Sequence, residues 1–206
     1  MKKDIIVGLD LGTTKVCAVI AEKIPEQNRI DVLGFGVAPS EGLHKGLVAN
    51  IGKTAEAIKS AMAIASNRAG FEVTVVNVGV AGEHITSMRH RNYVTINRDE
   101  KEITKEDLER LEADVRTIRI PSDRQILHII PEEFSIDHQS GIENPIGMSG
   151  SRLEASNHVV LASIPAMENI RKSVERAGYQ VQDYILQPIA SSASVLEESE
   201  KDHSGS

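Results

Sequence analysis

The chain has 206 residues, 40% of them apolar, and a formal net charge of −7, so we expect one large or two small domains with a substantial core. The excess of acidic over basic residues argues against a nucleic-acid-binding protein, because such proteins neutralise phosphates with Lys and Arg. The single cysteine rules out an internal disulfide, and no apolar stretch approaches the roughly 20 residues that span a bilayer. We therefore expect a cytoplasmic protein with a mainly aliphatic core.

The first predicted strand ends in a carboxylate that is followed by a small polar turn. Asp10, Gly12, Thr13, Thr14 and Lys15 lie between two apolar runs. Glycine allows positive φ and close approach of an anion, and the N–H groups of such a turn can form an anion-binding concavity. Asp10 is placed to hold Mg²⁺ through its waters, since Mg²⁺ takes only one or two carboxylates. A phosphate site and an ordinary β-hairpin both remain open from this motif alone.

The next elements follow as strands and then a helix. The two apolar runs around the turn predict paired strands, and a third strand is expected over residues 30–37. Apolar residues at spacings of three and four predict a helix that begins near Asn50 and ends at Gly70. A fourth strand is expected over residues 73–80.

The same alternation returns near the end of the chain. A helix from Pro165 closed by Gly178, a strand over residues 181–186 and a helix beginning at Pro188 are predicted. Hairpins first and crossovers later predict an α/β fold, a mixed sheet with helices on its faces.

Residues 84–163 interrupt this alternation and are predicted to form an inserted module. A short strand over residues 93–96 precedes a helix, which starts at a capping box made by Thr104 and Asp107. A long strand interrupted by Pro131 and a closing strand follow, and proline predicts an edge or a bulge there. The order strand, helix, strand, strand can cover one face of a small sheet and leave the other for a partner or for water.

Three other groups receive structural interpretations. Cys17 lies in an apolar strand, where a packed small hydrophobe is a better prediction than a nucleophile. The basic run over residues 89–91 is interpreted as a solvated approach to a strand, and the pair Glu132 and Glu133 as a solvated bulge. The scattered histidines have no partners at metal-ligand spacing.

Five segments carry a resemblance to a known family. The chain resembles the N-terminal part of the FtsA family, actin-like bacterial cell-division proteins of the superfamily that includes actins, Hsp70 chaperones and sugar kinases. The first segment is shared by the superfamily, and the run NPIGMSG together with the inserted module points to FtsA. The segments are Ile6–Glu22, Glu41–Ile51, Gly79–Ile85, Asn144–Ala155 and Leu186–Leu196.

The resemblance implies a division into two parts. Residues 1–83 and 164–206 would form a discontinuous, ribonuclease-H-like actin-type subdomain. Residues 84–163 would form an inserted α+β subdomain of strand-helix-strand-strand type, which serves partner binding and self-association. The family continues with a second half that is absent from this sequence, so the resemblance implies half of a nucleotide cleft.

The resemblance also implies ATP and Mg²⁺ as cofactors of the complete protein. Asp10 would lie near Mg²⁺, and the residues from Gly12 through Thr13 and Thr14 to Lys15 would hold the phosphates. Gln187, in the hinge-side segment, would orient the attacking water, because phosphoryl transfer depends mainly on positioning and charge stabilisation. A helix-capping amide before the following proline is the open alternative for Gln187.

The function implied is that of a scaffold more than of an enzyme. Proteins of this family bind ATP, polymerise, tether FtsZ to the cytoplasmic face of the inner membrane and recruit later division proteins such as FtsN. We expect the FtsZ and membrane contacts outside this sequence, at most weak ATPase activity in the complete protein, and none in this chain. A PilM-like pilus assembly protein and a sugar kinase are the alternatives.

Overall fold

The computed structural model describes residues 3–187, which divide into two compact units. One unit contains the described residues up to His84 and from Pro165, and the other contains Ile85–Ile164. The helix predicted from Pro188 lies outside the described residues. Across the described range, no helix is both long enough and apolar enough to pass through a bilayer.

Eleven strands and three α-helices make up the described chain. Their bounds, in chain order, are β1 Asp4–Leu11, β2 Lys15–Ile24, β3 Arg29–Pro39, β4 Leu43–His44, β5 Leu47–Val48, α1 Ile51–Ala69, β6 Val75–Val80, β7 Ile85–Thr95, α2 Lys105–Val115, β8 Arg124–Ile136, β9 Gln139–Ile142, β10 Arg152–Ser163, α3 Ile164–Arg176 and β11 Gln180–Leu186.

The first unit is built on a five-stranded mixed sheet with the order β11-β6-β1-β2-β3. Strands β1, β2 and β3 form an antiparallel meander, whereas β6 and β11 run parallel to β1. In this register Asp10 lies opposite Cys17 on one side and Gly79 on the other. The α/β fold with a mixed sheet, predicted from the order of elements, is confirmed.

One face of this sheet is the core of the unit. Helix α1 packs against β2 and β3, and a Cβ on Gly34 or Gly36 would lie 2.1 Å from a helix carbonyl oxygen, so only glycine allows this approach. The predicted ends of α1 are confirmed: the Asn50 side chain accepts from the N–H of Lys53 at 2.9 Å, and Gly70 adopts φ 84°. The core side chains of this face are fully or nearly fully buried: Val7, Leu9, Val16, Ala18, Ile20, Val76, Val78 and Val80.

The opposite face of the sheet is open within the described residues. Period-two alternation places Phe35, Asp10 and Ile185 on this face, where Phe35 is 42% and Ile185 52% exposed. Cys17 also lies here and is half-buried, so it is less completely packed than the predicted small hydrophobe would be. The reason is that a strand buries its alternate residues only on the face that a helix covers.

The inserted unit is a four-stranded antiparallel sheet with the order β7-β10-β8-β9 and helix α2 on one face. The predicted strand, helix, strand, strand order is present, with β9 as an additional short strand. Strand β7 is much longer than predicted and begins at Ile85, because polar exposed residues such as Arg89 and Arg91 gave no apolar signal. The core of the unit contains Val94, Ile96, Ile103, Leu111, Ile136, Leu153 and Ala155.

The proline in β8 marks a bulge, as predicted. Ser156 of β10 lies opposite Glu133, and Asn157 lies opposite Pro131, which leaves Glu132 as the extra residue. Strand β9 pairs only with Phe134 and Ile136 of β8, so Pro131 lies both at a bulge and at a part of β8 that has β10 as its one described partner strand.

Candidate functional site

The carboxyl ends of three parallel strands meet at one edge of the sheet of the first unit. Strand β1 leads into Gly12, β6 into Ala81, and β11 into Gln187. In open α/β sheets, ligands bind in the crevice outside the carboxyl ends of the strands. This edge is therefore the candidate site of the unit.

The turn after β1 is a tight hairpin whose backbone leaves two donors free. Gly12 donates its N–H to the carbonyl of Lys15 at 3.0 Å, and the carbonyl of Thr14 accepts from Ser40 at 3.0 Å. Among the described residues, nothing accepts from the N–H groups of Thr13 and Thr14, and both residues are exposed. Two adjacent outward N–H groups are suited to a phosphate oxygen.

Gly12 acts differently from the sequence-based expectation. Its φ is not positive, and its own N–H is used within the hairpin. A Cβ at this position would lie 2.6 Å from the carbonyl oxygen of Lys15. Glycine is needed here so that the hairpin can close, and the backbone donors that stay free in the turn are those of the two threonines.

The charges beside the turn are unneutralised in the described structure. Lys15 is exposed and forms no ion pair with a described carboxylate. Asp10 is half-buried and lines a cavity of about 230 Å³ together with Cys17, Asn77 and Gln187. A cation and a carboxylate near outward N–H groups form a donor set that fits a phosphate with its metal ion.

The metal part of this site would depend on few protein ligands. In the range 3–187, no group of three or more His, Cys, Asp and Glu residues is arranged to hold a metal ion. Asp10 is the carboxylate of the cavity. One carboxylate with several waters is a common arrangement for Mg²⁺, which dehydrates reluctantly.

Gln187 lies over the same cavity as Asp10. Its N–H donates to the carbonyl of Val80 at 3.0 Å, which continues the pairing of β11 with β6. Its side chain lies against Gly79, where a Cβ would be only 2.5 Å from Nε2. The structure thus brings the two residues together on one face, while the catalytic role of Gln187 stays a prediction.

Gly79→Ala is expected to displace the Gln187 side chain, since the added Cβ cannot share its position. The matched control is Gly8→Ala on the same cavity wall, because a Cβ there meets nothing within 4 Å. NMR of the Gln187 side-chain amide in both variants provides the measurement. An unmoved amide signal in the Gly79 variant would contradict the packing described here.

Asn77 is a cavity residue that the sequence analysis missed. Its Nδ2 donates to the carbonyl of Val7 at 3.2 Å, across β6 and β1. It is the one amide side chain of the apolar strand β6, and the alternation of side chains along the strand places it on the open face of the sheet. A polar residue that interrupts an apolar run was the available signal.

Two of the segments that carry the family resemblance contact each other beside the site. Gly46, with φ 79°, turns the β4–β5 hairpin, and a Cβ there would lie 2.2 Å from the carbonyl oxygen of Ala81. A Cβ on Gly82 would lie 2.6 Å from the carbonyl oxygen of Lys45. The backbone of each segment therefore fits against the other only because both positions are glycine.

The family model and the curated relatives carry the same family name. Residues 82–161 match the family described as "SHS2 domain inserted in FTSA". The "Cell division protein FtsA" of Pseudomonas aeruginosa is 42% identical over 96% of this chain and 46% of the relative. The protein of the same name from Escherichia coli K12 is 34% identical over 97% of this chain and 47% of the relative.

A solved structure shares the fold. The "PilM-PilN type IV pilus biogenesis complex" superposes on 94% of this chain and 50% of that chain, with a TM-score of 0.61 and 16% identity. At this identity the likeness concerns the fold alone, an actin-like unit with an inserted domain. The chain spans about half of the length of the curated relatives that it matches. The chain is thus similar over nearly its whole length to FtsA cell-division proteins, and residues 82–161 match the SHS2 domain that is inserted in that family.

Proposed function

We propose that this chain supplies half of an ATP-binding cleft and a partner-binding inserted unit to an actin-like cell-division scaffold. The observation that carries the proposal is the 34% to 42% identity to cell-division relatives over nearly the whole chain. The open edge of the first sheet supports it, because Asp10, Lys15 and the free N–H groups of the turn provide the charges and donors that a nucleotide needs.

Within this proposal each residue at the carboxyl ends of β1, β6 and β11 has a separate role. Lys15 and the N–H groups of Thr13 and Thr14 hold phosphate oxygens. Asp10 orients the waters of Mg²⁺, which neutralises phosphate charge when bound. Gln187 positions water near the phosphates, a role that suits an amide able both to donate and to accept.

The nucleotide is held weakly by this chain alone. Thr13, Thr14 and Lys15 are exposed, and electrostatic contacts in water are several times weaker than in a closed, low-dielectric site. We expect ATP binding to be invisible to calorimetry at micromolar protein. A tight Mg²⁺-dependent complex with this chain would contradict the half-cleft proposal.

In the complete protein the nucleotide sets the subunit conformation for polymerisation, and the filament tethers FtsZ to the inner membrane. FtsN and other late division proteins are recruited through the inserted unit. The test is filament formation by the complete protein on lipid vesicles with ATP, followed by addition of FtsZ. Filaments that recruit FtsZ support the scaffold, whereas phosphorylation of a sugar would support the kinase alternative.

Cys17 gives a readout of nucleotide binding that does not depend on activity. Its thiol is half-buried in the cavity wall that also contains Asp10. We expect Mg²⁺ and ATP to slow its reaction with a maleimide in the complete protein, because a bound nucleotide would cover the cavity. The matched control is the Lys15→Ala variant, in which the protection should be lost. Equal labelling rates with and without nucleotide would contradict the assignment of this cavity.

A further inference from the structure

Strand β7 forms one edge of the sheet of the inserted unit. It pairs with β10 along all 11 of its residues without a register shift, and no described strand pairs with its other side. The outward N–H and C=O groups of such a strand are a template for another strand. The free side of β7 is therefore a candidate docking surface for an extended peptide.

The other edges of the two large sheets are protected. Strand β9 has only four residues and leaves the first part of β8 uncovered, but that part is interrupted by Pro131 and by two register shifts. Strand β11 has a register shift after Val181. Strand β3 has a register shift opposite Ala21, and Arg68 donates to the carbonyl of Phe35 at 2.7 Å. Short strands, bulges and covered backbone groups are the usual ways to prevent strand addition. Of the edges in the described chain, β7 is the long and regular one.

The register shows which backbone groups of β7 are free. The N–H of Ile96 donates to the carbonyl of Ser151 at 2.8 Å. Ile96 and the even-numbered residues of β7 before it therefore direct their N–H and C=O groups toward β10. Residues of an antiparallel strand alternate between inward and outward backbone groups. The residues that present N–H and C=O groups to the free side are Ser87, Arg89, Arg91 and Tyr93.

The same residues have exposed side chains, and two of them are arginines. Asn92 points to α2, where it donates to the carbonyl of Leu111 at 2.8 Å, so its neighbours lie on the other face of the sheet. The side chains of Arg89 and Arg91 are 77% and 67% exposed, and they pair with Glu132 at 3.2 Å and with Glu154 at 4.0 Å. Exposed pairs of this kind contribute little, so a peptide carboxylate can compete for both arginines. Tyr93 is 55% exposed. Strand β7 contains no Asp or Glu, although the chain as a whole has a net charge of −7.

We propose that β7 binds an extended segment of a partner protein, which adds an antiparallel strand with the pattern aromatic, any, acidic, any, acidic. The acidic residues would lie opposite Arg91 and Arg89 and the aromatic residue opposite Tyr93, since such cross-strand pairs are stabilising. A second copy of β7 is disfavoured in the registers centred on residues 89–91, because those antiparallel pairs would place arginine opposite arginine. The inference rests on the proposed partner-binding role of the inserted unit and specifies its surface.

The test uses this chain and a short synthetic peptide of that pattern with threonine at the unspecified positions. NMR amide exchange should slow at Arg89 and Arg91, whose N–H groups face the free side. It should stay unchanged at His90 and Asn92, which already bond to β10. N-methylation of the two acidic residues of the peptide should abolish the protection, whereas N-methylation of the intervening residues should preserve it.

Charge provides the second arm of the test. The double variant Arg89→Gln and Arg91→Gln should bind the peptide about tenfold more weakly, as expected for two cross-strand charge pairs. The matched control is Arg29→Gln, at an exposed arginine of β3 in the other unit. A peptide with lysine in place of the acidic residues should not bind the unaltered chain.

Three outcomes would overturn the inference. The first is the absence of protection, and the second is protection that is insensitive to N-methylation. The third is slowed amide exchange at alternate residues of β7 in the absence of peptide, with the slowing increasing as the protein concentration rises. That result would show that the edge binds a second copy of the chain. Peptide binding elsewhere on residues 85–164 would refute the edge and leave the partner-binding role intact, and none of these results bears on the nucleotide site.

Discussion

Asp107→Ala is expected to destabilise the inserted unit by about 2–4 kcal/mol, the largest stability effect that we predict. The side chain of Asp107 is fully buried at the start of α2. It accepts from the N–H of Thr104 at 2.9 Å, from Nη1 of Arg98 at 3.3 Å and from Nη1 of Arg110 at 3.3 Å. Alanine would remove the capping box and leave these donors without their shared acceptor. Amide exchange of α2 in the intact chain measures the loss.

The pH dependence of this unit follows from the same carboxylate. Burial raises the pKa of Asp107, but the hydrogen bonds from Arg98 and Thr104 outweigh it, and the net pKa lies below its ordinary value. A lowered pKa means that the stabilisation is present above the unfolded pKa of about 3.9 and is lost as the pH falls below it. The Asp107→Asn variant should therefore lose less stability between neutral pH and pH 3 than the unaltered chain does.

A matched control separates this effect from a general loss of helix charge. Glu109, on the same helix, has a side chain that is 64% exposed, and its ion pair with Lys105 is long at 3.9 Å. Glu109→Ala should change the stability little, because exposed pairs contribute little. Equal losses in the two variants would show that the buried carboxylate has no special role.

Replacing Lys15 by alanine in the complete protein is expected to weaken ATP binding about 10- to 100-fold, the largest functional effect that we predict. Lys15 is the exposed cation beside the free N–H groups of Thr13 and Thr14. Its loss removes a charge-assisted hydrogen bond to phosphate. Asp10→Ala should weaken binding mainly when Mg²⁺ is present, because that carboxylate is expected to act through the metal ion. Equilibrium binding of a fluorescent ATP analogue with and without Mg²⁺ measures both effects.

The matched control for this pair is Lys23→Ala. Lys23 is an exposed lysine of the same strand β2. In the register of β1 and β2 it lies opposite Asp4, at the end of the hairpin that is remote from the turn. It should leave the affinity unchanged, since a general change in net charge is screened over such distances. If Asp10 and Lys15 can both be replaced without loss of affinity, the proposed nucleotide site is wrong.

Local patterns were sufficient for much of the secondary structure. The helix from Asn50 to Gly70 was predicted because an apolar stripe and a terminal glycine agree there, and the structure has both and adds a side-chain cap by Asn50. The capping box of Thr104 and Asp107 and the bulge at Pro131 were predicted for the same reason. These features depend on interactions within a few residues, which a single sequence displays.

Long-range pairing had to come from the tertiary structure. The sequence did not reveal that β7 extends back to Ile85, because its exposed residues carry no apolar periodicity and are held by pairing with β10. It also did not reveal that Gly12 uses its N–H inside the hairpin. Both depend on partners that are fixed by register and not by local propensity.

The sequence by itself determined the candidate chemistry of the chain, which is a carboxylate, a small polar turn and a lysine after an apolar strand. It also determined the family resemblance, which implies that these residues hold phosphate and Mg²⁺. Only the tertiary structure decided that Asp10, Asn77 and Gln187 line one cavity, and that the free edge of β7 presents two arginines. The physical reason is that residue type and spacing are local properties, whereas the assembly of a site from β1, β6 and β11 depends on the order and register of strands that are far apart in the chain.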